Sequence, residues 1–223
     1  MPDMDFEQAR FNMVEQQIRT WEVLDQGVLE LLFKVKREDF VPSAYRAIAF
    51  TDMEIPLGHE QLMMSPKLEA RIVQEVALQA GDTVLEVGTG SGYLAALLAK
   101  RAAQVTSIEY FEDLSKLAAT RLQTAGADNV TLLVGDAADA SFSLLDGKKF
   151  DVIVLTGSVP ALPEAFLRHL NVGGRLFAIV GDAPVMKATL IKKTAEAAFT
   201  TTELFETVVA PLINAPHPPR FDF

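Results

Sequence analysis

The stretch that most constrains this chain is residues 83–99, TVLEVGTGSGYLAALLA. Val84, Leu85 and Val87 make a short apolar run, the pattern of a parallel strand covered on both faces. Gly88, Thr89, Gly90, Ser91 and Gly92 follow, and at such a turn the backbone bends sharply and approaches a ligand with no Cβ in the way. Leu94, Leu97 and Leu98 then recur at helical spacing. Gly81-Asp82, just upstream, is a turn signal that starts the strand.

A glycine turn between strand and helix first suggests a dinucleotide site of pattern G-x-G-x-x-G, with pyrophosphate at the helix N-terminus. Here the third glycine comes one place early, at Gly92, and Tyr93 stands where it belongs. Glu86 lies two residues before the turn, where a carboxylate repels a pyrophosphate but suits a ligand with an ammonium and a sulfonium. S-adenosylmethionine (SAM) is such a ligand. Val105, Ser107 and Ile108 lead to Glu109, placed about where a nucleotide site needs a carboxylate for ribose hydroxyls. Glu109 supports an adenosine ligand; Glu86 and the glycine spacing choose SAM over NAD.

The rest of the core alternates. Strands are expected at residues 105–109, 130–134, 150–155 and 175–180, with helices carrying Leu114, Leu117, Ala118 and Leu122, and spanning residues 163–170. Such alternation implies a doubly wound, parallel sheet. Residues 188–193 and 200–209 both look like strands with no helix between them, which closes the sheet with a hairpin. The expected fold is therefore α/β, a mostly parallel seven-stranded, Rossmann-like sheet of the SAM-methyltransferase type with an N-terminal helical extension. In that extension, residues 5–20 look helical, and Asp25 is a good N-cap for a second helix bearing Val28, Leu31, Leu32 and Val35. A short helix over 44–50 and a loop over 51–64 come next. Ser65-Pro66 opens another helix, with Ser65 as N-cap and Pro66 at the first helical position. We expect one domain: a helical region over 1–80 packed on a cofactor core over 81–213, and a tail over 214–223.

Composition narrows the function. The chain has 223 residues, 49% of them hydrophobic, enough for one well-buried α/β domain. Its net charge of −10, with basic residues scattered in ones and twos, disfavours a nucleic-acid surface. The absence of cysteine excludes disulfides and thiolate zinc sites. His59, His169 and His217 show no ligand spacing, so no metal is expected. The acidic, polar start is unlike a signal peptide, and no apolar run approaches the ~20 residues of a membrane span. A cytoplasmic protein with no membrane partner is the expectation.

In an open α/β sheet, ligands bind beyond the carboxyl ends of the strands. That rule gathers Gly88, Thr89, Gly90, Ser91, Gly92, Glu109, Asp136 with Ala137 beside it, and Thr156-Gly157 into one crevice. Asp136 is either an acceptor for the adenine amino group or a turn carboxylate bonding its own backbone. Thr156 and Ser158 either face the methyl acceptor or satisfy backbone groups at the strand end.

These residues closely resemble the protein-L-isoaspartate O-methyltransferase family. Besides VLEVGTGSGY, the resemblance rests on Met13-Val14…Gln17-Ile18, on Arg37 to Pro42, on Pro56-Leu57-Gly58 followed by Gln61 to Pro66, and on Gly135-Asp136, FDVIVLT and GGRL. It covers roughly residues 10–182. The resemblance implies SAM as methyl donor, S-adenosylhomocysteine as product, and isoaspartyl residues of damaged proteins as acceptors, the resulting ester collapsing to a succinimide. No catalytic base is then required, because a carboxyl with a reference pKa near ~4 is already ionised at pH 7 and needs only alignment.

The chain departs from the family on the acceptor side. Where the family has Gln-Thr-Ile-Ser-Gln-Pro, this chain has Gln61-Leu62-Met63-Met64-Ser65-Pro66, so Met64 takes the place of the active-site serine and offers no hydroxyl. Glu60 replaces a usual glycine, and Thr-Ala-Ala after the fourth strand is here Thr156-Gly157-Ser158. Cofactor motifs are kept while the acceptor side is altered. The candidate acceptor residues are therefore Met64, Ser65 and Thr156; the candidate cofactor residues are Glu86, Gly88–Gly92, Glu109, Asp136 and Ala137. Two other readings compete: a methyltransferase for a small-molecule acceptor, and a catalytically silent SAM-binding protein. A homodimer stays open.

Overall fold

The computed structural model describes residues 5–138, 145–162 and 164–215. Its centre is a seven-stranded sheet of order β5-β4-β3-β6-β7-β8-β9. The strands are β3 (Thr83–Val87), β4 (Gln104–Glu109), β5 (Val130–Val134), β6 (Phe150–Val159), β7 (Leu170–Asp182), β8 (Val185–Ala195) and β9 (Ala198–Glu206). The pairs from β5 across to β7 are parallel. β7–β8 and β8–β9 are antiparallel, so the closing hairpin is part of a meander and β9 forms the edge. That settles the order of the last two strands, which hydrophobic pattern alone does not encode.

The sheet's period of two sorts its apolar residues onto two faces. Val84, Val105, Val152, Val154, Phe177 and Ile179 share a core with the N-terminal helices. Leu85, Val87, Ile108, Ile153, Leu155 and Leu176 share the other. Each such side chain, fully buried, contributes about 1.5–3 kcal/mol relative to exposure. Between the strands, α4 (Tyr93–Ala99) is buried along its whole length, and α5 (Glu112–Thr124) buries Leu114, Ala118 and Leu122.

Ahead of the sheet, α1 (Phe6–Asn12) is capped by Asp5, whose side chain accepts from the Gln8 N–H. It runs into a π-helical turn (Met13–Ile18) and a 3-10 turn (Arg19–Trp21), so the helix expected over 5–20 changes hydrogen-bond pattern along its course. Asp25 caps α2 (Gln26–Lys34) as expected, accepting from Val28 N–H at 2.9 Å. The short helix expected over 44–50 is a 3-10 turn, Ser43–Ile48.

Three expectations need correction. Residues 51–64 are not a plain loop: they hold a hairpin of β1 (Ile55–Gly58) and β2 (Gln61–Met63). Its strands are too short to show a period, and its turn places Gly58, His59 and Glu60 all at positive φ. The helix expected over 163–170 is, in the described residues, a single turn, α6 (Glu164–Leu167), because β7 already begins at Leu170. The last strand ends at Glu206, three residues early, since Val209 leaves the edge to cross the carboxyl ends of the strands. The tail beyond Ala215 lies outside the described residues. In front of β3, α3 (Pro66–Val76) starts at Ser65, whose backbone carbonyl accepts from Leu68 and Glu69. The Ser65 hydroxyl makes no capping hydrogen bond, so its place is that of an N-cap without the side-chain contribution.

Candidate active site

β3 ends at Gly88, which has φ 97°, followed by Gly90 at 53° and Gly92 at 85°. All three lie in the region that favours glycine. A Cβ on Gly88 would lie 2.1 Å from Thr156 Oγ1, so any other residue here would displace that hydroxyl as well as strain the backbone. The N–H groups of Gly88 and Thr89 both donate to the Ile108 carbonyl, at 2.8 and 3.2 Å. On the opposite side, Thr156 Oγ1 lies 2.9 Å from Val87 O and 2.8 Å from Gly88 O. Having one proton, it donates to one carbonyl at a time. Thr156 thus serves the backbone of the turn, although it also lines the cleft.

Glu86 is fully buried in the floor beneath this turn. The Ser107 hydroxyl donates to its Oε2, and Thr89 Oγ1 lies 2.6 Å from Ser107 Oγ. Oε1 has no partner among the described residues. Burial pushes the Glu86 carboxyl up to about 8; the Glu109 charge adds to the shift and the Ser107 hydrogen bond opposes it. A buried carboxylate oxygen without a partner is costly, and a cationic ligand in the cleft would supply one. Glu109, at the end of β4, accepts from Gly90 N–H at 2.7 Å and from Phe111 N–H at 3.0 Å. It therefore fixes the glycine turn as well as facing the cleft.

Asp136 follows β5. One of its oxygens accepts from Ala138 N–H at 2.9 Å, the turn-carboxylate arrangement, and the other from Asn214 Nδ2 at 2.6 Å. Ala137 lies beside it in the cleft wall. The Asn214 contact comes from the first residue of the stretch 214–223, whose sequence reads either as a loose tail or as an arm docked by its aromatics. Residues 209–215 cross the carboxyl ends of the strands, with Ser158 N–H donating to Ala210 O and Leu212 N–H to Ser158 O, both at 2.9 Å. A Cβ on Gly157 would lie 2.8 Å from Leu212 N, so this glycine is what lets the segment dock.

The cleft so formed encloses about 1110 Å³ of space, the part open to solvent included. Its second half is lined by the β1–β2 hairpin through Leu57, Gln61, Leu62 and Met63, and by Met64. The Met64 carbonyl accepts from Arg37 Nη2 at 2.7 Å. Arg37 is wholly buried, pairs with Glu69, and donates through Nε to Ala49 O at 2.9 Å. Burial lowers its guanidinium to about 10. Ser65 and Gly92 do not line the cleft. Gly92 faces α5, where a Cβ would meet Ala118 Cβ at 3.2 Å, so its absent side chain serves helix packing rather than a ligand. Met64, Thr156, Glu86, Gly88, Thr89, Gly90, Ser91, Glu109, Asp136 and Ala137 all line this one cleft.

The model of the protein-L-isoaspartate(D-aspartate) O-methyltransferase family matches residues 8–216. This chain belongs to that family. Members of the isoaspartate O-methyltransferase family are SAM-dependent O-methyltransferases. A protein-L-isoaspartate O-methyltransferase of Koribacter versatilis is 35% identical over 195 residues, covering 87% of this chain and 86% of its own. One of Syntrophobacter fumaroxidans is 37% identical over 189 residues, covering 85% and 87%. Among solved structures, a candidate member of the same family from Plasmodium falciparum, in complex with S-adenosyl-L-homocysteine, superposes with a TM-score of 0.81 at 18% identity over 95% of this chain and 100% of that one. That likeness supports the fold. Within the described residues no helix is long and apolar enough to cross a membrane.

Several residues that build the isoaspartate O-methyltransferase-type cleft escaped sequence reasoning. Ser107 reads as part of a strand, and nothing in its spacing signals that it holds Glu86. Arg37 and Glu69 sit far apart in sequence and meet only through tertiary packing, and Arg37 stands among Lys34, Lys36, Glu38 and Asp39, a charged run that reads as a solvated helix end. Asn214 carries no signal at all.

Proposed function

We propose that this chain transfers the methyl group of SAM to the α-carboxylate of isoaspartyl residues in damaged proteins. The observation that carries the proposal is the buried Glu86, with one oxygen unpartnered among the described residues, beneath a glycine turn whose Gly88 sits at φ 97°. Those features suit a cationic, phosphate-free nucleoside ligand, as expected for SAM. Glu86 would answer its positive charge, Glu109 its ribose hydroxyls, and Asp136 its adenine amino group if it shares its oxygen with Asn214. Bound SAM supplies an electrophilic methyl on a sulfonium. The protein's own part is orientation: the glycine turn and the Met64 segment, each tied to buried partners, hold the two halves of the cleft at fixed separation. No base is needed, since the acceptor carboxyl is ionised at neutral pH.

Incubation with methyl-labelled SAM and an isoaspartyl peptide, with its aspartyl twin as control, tests this. Label in the isoaspartyl peptide alone supports the proposal; label in neither, with SAM bound, overturns it.

A second reading has its own observation. With Leu57, Leu62, Met63 and Met64 facing the acceptor half, and no hydroxyl at position 64, the cleft also suits a small apolar carboxylic acid. Turnover with such a metabolite and none with isoaspartyl peptides would select that acceptor.

A further inference from the structure

Five carboxylates line the cleft among the described residues, Glu54, Glu69, Glu86, Glu109 and Asp136, and no lysine, arginine or histidine lines it. Four of the five are engaged. Glu69 pairs with Arg37, Glu86 takes the Ser107 hydroxyl, Glu109 accepts two backbone N–H groups, and Asp136 accepts from Ala138 and Asn214. Glu54 differs: its carboxylate makes no hydrogen bond or ion pair among the described residues. Lys67, on the first turn of α3, is taken by Asp52 at 2.6 Å.

Position makes Glu54 relevant to the acceptor. It immediately precedes β1, which pairs with β2 through Ile55–Met63 and Pro56–Leu62. Extending that register by one residue sets Glu54 across from Met64, and both line the cleft. Glu54 is half-buried, and burial raises its carboxyl above the usual value, as expected for an acid with no counter-charge nearby. An acceptor carboxylate entering here meets a like charge and, among the described residues that line the cleft, no cation. Like charges brought together in a partly desolvated site disfavour binding, and an added positive group on the ligand reverses the sign.

We propose that Glu54 is a specificity-determining residue that selects isoaspartyl residues flanked by lysine or arginine over those flanked by glutamate or aspartate. The inference rests on the isoaspartyl reading above and adds the sequence context of the acceptor. The flanking cation supplies the positive charge that no described residue lining the cleft provides. It pairs with Glu54 while the adjacent carboxylate turns towards the methyl donor.

The test compares kcat/KM for three isoaspartyl peptides that differ only in the residues next to the isoaspartate: lysine, glutamine or glutamate. Wild type should prefer them in that order, with about tenfold between the extremes. Glu54→Gln, nearly isosteric at a half-exposed position, should bring the spread to within about twofold, with SAM affinity unchanged. Asp128→Asn, an exposed carboxylate just before β5 at the opposite end of the sheet, should leave the spread as in wild type and so separates a local effect from net charge. A spread unaltered by Glu54→Gln, or equally reduced by Asp128→Asn, would overturn this inference alone. Methylation of none of the three peptides, with SAM still bound, would overturn the isoaspartyl reading and this inference with it.

Discussion

Glu86 is where one residue's environment decides the cofactor chemistry. Its carboxyl, raised to about 8 by burial, is largely protonated at neutral pH in the ligand-free protein. A cationic ligand favours the ionised form, so binding releases a proton. SAM affinity should therefore tighten as pH rises from 6 to 8 and level off above that. In Glu86→Gln the pH dependence should vanish and affinity at pH 8.5 should fall by about tenfold or more, measured by calorimetry. The same shift acts on stability. Between the unfolded value near 4.5 and about 8, the folded chain holds a proton that the unfolded chain has lost. This group's contribution to stability thus declines as pH rises through that window. Glu86→Gln should be more stable relative to ligand-free wild type at pH 8.5 than at pH 5 by thermal melting. The opposite trend would mean that Glu86 is ionised in the empty protein.

At the scale of elements, the β1–β2 hairpin is the piece that defines the acceptor half. Its turn reaches α5, where the His59 ring stacks on Phe111 at 4.1 Å between centroids and its Nε2 lies 2.8 Å from Asp113. Phe111 also donates its N–H to Glu109, so the latch and the proposed ribose carboxylate share a residue. Leu57, on the same hairpin, comes within 3.2 Å of the space a Gly90 Cβ would fill. His59→Ala should speed hydrogen exchange in β1 and β2 and raise the KM for SAM a few-fold. His59→Phe, which keeps the stack, should restore most of both. Equal loss in the two variants would assign the latch to the ion pair instead. The acceptor-side place of residues 61–66 was legible through the family resemblance, but the hairpin and its His59 contacts were not. Strand runs such as Phe150–Leu155 and the turn at Gly88 announce themselves through local composition, and those elements appeared where expected. The hairpin has strands of four and three residues and draws its stability from docking, which leaves no period to detect. Ser65 misled for a related reason: its identity and place are those of a cap, but its hydroxyl is not used.

Across the whole molecule, two buried arginines brace the N-terminal region, and one of them, Arg37, ties it to the cleft. Arg10 pairs with Glu38 and Glu7, and Arg37 with Glu69 while holding the carbonyls of Ala49 and Met64. Arg37 also lies over the buried Tyr93 ring at 5.1 Å, beside the start of α4. Glu69→Ala would leave Arg37 buried without its partner, and should cost about 3–5 kcal/mol by denaturant unfolding. A cost below about 1 kcal/mol would mean that water replaces the carboxylate. The seven-stranded sheet and the cofactor carboxylates could be read from the chain because they follow a short-range pattern. The brace, and the docking of residues 209–215, join positions that sequence spacing does not relate. The central claim, that this cleft brings SAM to an isoaspartyl carboxylate despite Met64, is tested most directly by mass spectrometry of an isoaspartyl peptide incubated with SAM and the wild-type protein. The account predicts a base-labile methyl ester on that peptide, collapsing to the succinimide with loss of methanol, and no change in the aspartyl twin. An unmodified isoaspartyl peptide from wild type, with ester formed only by Met64→Ser, would contradict it and show that the missing hydroxyl had closed the site to this acceptor.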